Sequence, residues 1–171
     1  AEGGVVEGYR RLSEGLLAGL HGLEVAAVQA ASQRKPDSEL TAVCFETPSD
    51  YEITVAGRKL VGSAQWRTRA GVLQHGTLPL CGDLTRIVDY LALSDAERET
   101  QRRRLRLQAI TLEEVLGQAP PFARVAEALA VGFAQALNLT LVPAGLTSHE
   151  LSLAHELRET VYAAPDWTAR L

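Results

Sequence analysis

Apolar residues recur at helical spacing near the start of the chain. Val5, Tyr9, Leu12, Leu16 and Leu20, with Glu7, Arg10, Arg11 and Glu14 between them, predict an amphipathic helix over 5–20. Gly19 and Gly22 are its stop signals. Leu23 to Val28 reads as a short strand, and the polar run 29–40 as an exposed loop. The period then changes. Ala42-Val43-Cys44-Phe45 is short and apolar, Thr47-Pro48-Ser49-Asp50 is a turn cluster, and Tyr51 to Val55 alternates with period two. Ala56-Gly57 makes a tight turn, Lys59 to Trp66 the return strand, and Gly71 to Leu80 a further strand, giving a three-stranded β-meander.

The remainder reads as helical. Asp83 caps a helix running to Leu91, Ser94 starts a charged one through about Leu107, and Thr111 and Glu114 have capping-box spacing. Phe122, Val125, Leu129, Phe133 and Leu137 mark the strongest amphipathic helix, over 121–137. Leu139 to Val142 reads as a short strand, and Ser148 caps a last helix to about Tyr162. No repeat or internal linker interrupts the pattern, so residues 1–171 read as a single α/β (α+β) domain.

Composition narrows the class. With 46% hydrophobic and 22% charged residues and a net charge of −4, the chain is neither disordered nor a generally basic nucleic-acid binder. No apolar run approaches the ~20 residues of a membrane span. The two cysteines, Cys44 and Cys81, form no C-x-x-C pair, which favours a reducing compartment and a cytoplasmic location. The chain begins at Ala1 and contains no Met, the expectation being a processed chain or a piece of a longer one. Its cations are 15 Arg and 2 Lys, Lys35 and Lys59. Arg stays charged where Lys can titrate, so a lysine inside the meander raises a chemical question; sampling alone also accounts for the ratio.

Several motifs are absent, among them the phosphate-binding loop, the dinucleotide fingerprint and the nucleophile elbow. His149 and His155 stand six apart, off a shared helix face, and read as surface residues; no metal site is expected. The run Arg102, Arg103, Arg104 and Arg106 is either a solvated helix face or a docking patch for an acidic protein. Cys44 ends a short apolar strand before a Pro-containing turn, a position where side chains often line a site; Cys81 reads as a packing residue. A cysteine nucleophile needs a cationic or basic neighbour, and Lys59 and His75 lie in the same meander. Simple alternation puts Lys59, Val61, Ser63 and Gln65 on one strand face. Gly57, Gly62, Gly71 and Gly76 punctuate the region and permit close approach of a ligand. The residues alone thus suggest a cysteine acyl-transfer site, with a merely buried Cys44 as the alternative.

Three segments carry a resemblance. Cys44-Phe-Glu-Thr-Pro-Ser-Asp-Tyr-Glu52, Gly57-Arg-Lys-Leu-Val-Gly-Ser-Ala-Gln65 and Leu73-Gln-His-Gly-Thr-Leu78 resemble the lipoate–protein ligase A family and its cysteine-dependent relatives, the octanoyltransferases. The resemblance runs from the Glu7-Gly-Tyr-Arg helix to Tyr162-Ala-Ala-Pro-Asp-Trp167. It implies the C-terminal portion of a biotin/lipoate protein ligase-like catalytic domain. Cys44 matches the cysteine that becomes acylated in the transferases, and Lys59 the lysine that contacts the acyl-adenylate in the ligases. The implied activity is transfer of an octanoyl group from acyl carrier protein to a lysine of a lipoyl domain or of glycine cleavage H protein. On this reading Ser63, Gln65, His75 and the Gly76 amide line the site, and Arg67, Arg69, Arg102, Arg103 and Arg104 dock the acidic partners. No cofactor, nucleic acid or membrane is implied.

Two other readings remain open. An ATP-dependent lipoate–protein ligase would use ATP and Mg and treat Cys44 as incidental. A non-catalytic half of a split enzyme would bind lipoyl domains and show no activity by itself. The family's upstream motif, R-R-x-x-G-G-G-x-x-x-H, has no match in 1–171, so the expected upstream half is cleaved, missing or a separate chain.

Overall fold

A computed structural model describes residues 5–30, 52–69 and 71–169. The chain forms two compact units, Ala1–Thr140 and Leu141–Leu171. In the first, helix α1 (Val5–His21) leads into a four-stranded antiparallel sheet of order β1-β2-β3-β4, comprising Val28–Gln29, Ile53–Val55, Arg58–Arg67 and Val72–Thr77. A 3₁₀ segment (Leu84–Tyr90), α2 (Asp95–Gln108), α3 (Leu112–Leu116) and α4 (Phe122–Leu137) follow. The expected Ala42–Phe45 strand and the Thr47–Asp50 turn lie outside the described residues.

The meander is what its turn chemistry requires. Ala56 and Gly57 both have positive φ, 49° and 77°, the backbone of a primed two-residue turn whose twist matches its flanking strands. Leu23, Val25 and Ala27 are buried, but only Val28–Gln29 pairs with β2, so the first strand is shorter than its hydrophobic run suggests. One core joins Leu20, Leu23, Val25, Ile53, Val55, Leu60, Val61, Ile110, Leu112 and Val125. Helices α1 and α4 cross through glycines: a Cβ on Gly19 would lie 2.7 Å from the Leu129 Cα and 2.9 Å from the Ala128 carbonyl. The segment before α3 runs beside β3, with the Ile110 amide donating to the Lys59 carbonyl at 3.0 Å.

The helix starts follow capping rules. Ser94 and Glu97 close a reciprocal capping box on α2. Thr111 caps α3 by accepting from the Glu114 amide, while the Glu114 carboxylate instead takes Arg58 at 2.9 Å. Asp83 caps a 3₁₀ segment, not an α-helix, and accepts from the Thr85 hydroxyl (2.7 Å) and amide (2.8 Å). The hydroxyl bond first, then the amide bond, holds the Asp83 carboxyl below its ordinary range. A depressed folded value means that the contribution is present above the unfolded value of about 4 and is lost as pH falls through the folded one. Wild type and Asp83→Ala should therefore differ in melting temperature near neutral pH and converge in acid. A gap that persists at pH 2 would contradict this.

The second unit contains α5 (Ser148–Leu157), a π-helical turn (Arg158–Tyr162) and α6 (Pro165–Thr168), with Tyr162 and Trp167 edge to face at 5.1 Å. Two expectations are corrected. Thr147, not Ser148, is the N-cap of α5, because Thr147 and Glu150 have the capping-box spacing. Leu139 to Val142 is not a strand: Leu139, Leu141 and Val142 are exposed, have no ladder partner among the described residues, and Pro143 follows without a donor.

Candidate functional site

The site begins at an irregularity in the β2–β3 ladder. Thr54 pairs with Lys59 and Ile53 with Val61, so Leu60 stands without an opposite residue. Such an inserted residue reverses the alternation beyond it. Ile53 and Thr54 point to opposite faces, and their partners Val61 and Lys59 do the same. Lys59 therefore does not share a face with Val61, Ser63 and Gln65, as simple alternation would have it.

The β3–β4 register assigns the rest. Ser63, Gln65 and Arg67 pair with Gly76, Gln74 and Val72. This is the face next to α1, where the Tyr9 hydroxyl donates to the Ser63 carbonyl at 2.9 Å and Gln65 Nε2 donates to Gln74 Oε1 at 2.9 Å. Gly62, Ala64 and Trp66 pair with Thr77, His75 and Leu73 on the other face. That face carries Lys59 and the exposed His75, Trp66 and Leu73. Gly76 is required by the close ladder, since a Cβ there would lie 2.6 Å from the Gly62 carbonyl.

Lys59 is buried, and its Nζ lies 2.6 Å from Glu52 Oε1; the two side chains are 3% and 5% exposed. Local sequence explains the meeting. Glu52 immediately precedes β2, Lys59 follows the Ala56-Gly57 turn, and the hairpin brings them together. Burial first, then the Glu52 charge, pushes the Tyr9 phenol above its ordinary range, against a lowering hydrogen bond with Gln74. An ammonium held in a dry site is suited to stabilising negative charge on an acyl oxygen.

Sequence reasoning named Lys59 but passed over Glu52 and Tyr9. The signal for Glu52 is an acidic residue at the head of a strand, two positions before the residue that a two-residue hairpin sets opposite a lysine. Cys44 lies outside the described residues. Of the five arginines expected to dock acidic partners, Arg102 is engaged with Asp89 at 2.5 Å and lies near Glu99, while Arg69, Arg103 and Arg104 are exposed and Arg67 is half-buried. Cys81 is exposed, not packed. Among the described residues no group of three or more His, Cys, Asp or Glu is placed to hold a metal, and no helix is long and apolar enough to cross a membrane.

The architecture is shared with solved proteins. The bipartite lipoate–protein ligase of Thermoplasma acidophilum superposes with a TM-score of 0.76 at 18% identity, over 97% of this chain and 58% of that one. A lipoate–protein ligase A solved with ATP gives 0.70 at 19%, over 98% and 60%. The fold is that of a lipoate–protein ligase catalytic domain. The chain belongs to the family of the lipoyl protein ligase A/B catalytic domain, whose sequence model matches residues 1–134. It is similar to the octanoyltransferases LipM of Moorella thermoacetica (44% identity, 98% of this chain, 62% of the relative) and Symbiobacterium thermophilum (41%, 98% and 63%). That of Bacillus subtilis is 36% identical over 95% of this chain and 61% of its own length. The chain thus spans about three-fifths of the length of these curated relatives.

Proposed function

We propose that this chain carries the cysteine and lysine of an octanoyltransferase that moves an octanoyl group from acyl carrier protein to a lysine of a lipoyl domain or H protein. The observation that supports it most is the 34–44% identity to octanoyltransferases over 95–98% of the chain. In this reading the Cys44 thiolate attacks the thioester carbonyl, the bond to the carrier sulfur breaks, and the carrier thiolate leaves and takes up a proton. The acceptor lysine amine then attacks the Cys44 thioester, forms the amide, releases the Cys44 thiolate and gives up its proton. Dividing one transfer into two easier ones is the logic of covalent catalysis.

Lys59 is the electrostatic anchor for the oxyanion of both steps, held in place by Glu52 at 2.6 Å. His75, on the same sheet face, is suited to contact the incoming acyl group, and the Gly76 amide is an oxyanion donor. Ser63 and Gln65 support that wall from the α1 side. Exposed Arg69, Arg103 and Arg104 supply steering toward acidic partners, and half-buried Arg67 contributes less, as does Arg102, which Asp89 already holds.

Intact mass spectrometry of the chain with octanoyl-carrier protein, without ATP, tests the reading. The expected result is one octanoyl adduct, mapped by peptide mass to Cys44 and discharged by a lipoyl domain. Transfer of free octanoate that requires ATP, with no adduct on Cys44, would instead indicate a ligase.

A further inference from the structure

The transfer reading uses Lys59 and leaves the acid beside it without a role. Glu52 and Lys59 are both nearly excluded from water, with 2.6 Å between Glu52 Oε1 and Lys59 Nζ. Taking two charges out of water is costly, and a buried pair is often no more stable than apolar residues of the same volume. Stability alone is therefore a weak reason for this arrangement. Glu52 heads β2, Lys59 follows the hairpin turn, and the ladder irregularity directs Lys59 to the sheet face that carries His75. An ammonium has three donors in a fixed tetrahedral arrangement, so one short bond to a rigid carboxylate directs the other two.

Resting on the octanoyl-transfer reading, we propose that Glu52 is a positioning residue: its carboxylate, held at the head of β2, fixes the direction of the Lys59 ammonium toward the acyl carbonyl.

The experiment compares wild type, Glu52→Gln and Glu52→Asp in octanoyl transfer, with melting temperature as the folding control. Loss of alignment should lower kcat about 10- to 100-fold in Glu52→Gln with KM little changed, because the misdirected charge meets the acyl oxygen most strongly in the transition state. Glu52→Asp retains the charge but withdraws it by one methylene, and should fold like wild type with a several-fold lower kcat. A second readout does not depend on the transfer reaction. The chain has two lysines, Lys35 and Lys59, so labelling by an amine-reactive succinimidyl ester can be expressed as a ratio between them. An amine engaged in a short ion pair is less available to the ester, so releasing it in Glu52→Gln should raise the Lys59-to-Lys35 ratio. Wild-type kcat in folded Glu52→Gln, or in Glu52→Asp should the Gln variant not fold, overturns the proposal, as does an unchanged labelling ratio. If wild type itself transfers no octanoyl group, the functional reading fails and the labelling ratio alone decides whether Glu52 holds Lys59.

Discussion

Lys59→Met is expected to destabilise the protein by about 3–5 kcal/mol and to lower octanoyl transfer about 100-fold or more. The two losses have different causes. Lys59 is 3% exposed and Glu52 6%, so removing the ammonium takes a charge partner from a carboxylate that burial already penalises. On the proposed transfer reading, the loss of transfer follows from removing the positive charge that would meet the developing oxyanion. A second substitution separates the two. Lys59→Met combined with Glu52→Leu replaces the pair by apolar volume and should recover most of the stability, as apolar replacement of buried ion pairs often does, without recovering transfer. Lys59→Arg retains charge but puts a planar, bulkier fork where a compact ammonium fits, and should not restore activity either. Urea unfolding and single-turnover transfer measure both properties. An active double variant would remove Lys59 from the chemistry.

Gly132→Val is expected to unfold the first unit or shift its denaturation midpoint sharply downward, and Gly132→Ala to destabilise it by about 1–3 kcal/mol. Helix propensity predicts the opposite sign, since Gly→Ala in an exposed helix interior gains up to about 1 kcal/mol. Packing decides. A Cβ on Gly132 would fall against the Gly19 amide nitrogen, 2.6 Å from the Gly19 Cα and 2.5 Å from the Gly15 carbonyl. These are backbone atoms of α1 and cannot swing away as a side chain could. Gly15 meets the Phe133 ring in the same crossing. The effect should reach the site, because α1 carries Tyr9, whose hydroxyl donates to the Ser63 carbonyl of β3. Chemical denaturation gives the result, and a stabilised Gly132→Ala would show that the helices separate at little cost.

Much of this fold is legible in short-range pattern. The spacing of Val5 to Leu20 and of Phe122 to Leu137 gives α1 and α4, and Ala56-Gly57 gives the hairpin. Ser94 with Glu97 gives the start of α2. The failures have equally local reasons. Leu139 to Val142 has strand-like composition, but a strand needs an edge to pair with, which no single segment supplies. The cap of α5 is Thr147, one residue before Ser148, and the Thr147 to Glu150 spacing encodes it locally. Gly19 was read as a stop signal because glycine is a poor helix former, whereas it lies inside α1 and serves the contact with α4.

The sequence by itself determined which elements form and which reactive residues the meander contains, because periodicity, caps and turns depend on neighbours within a few positions. It also marked Lys59 as a candidate. Only the tertiary structure decided which way Lys59 faces and what holds it. One unpaired residue at Leu60 reverses the alternation, and the Glu52 contact depends on how two strands are registered. The use of Gly132 likewise depends on where a second helix passes. Register and helix crossing are set by the packing of the whole core, so no local pattern encodes them.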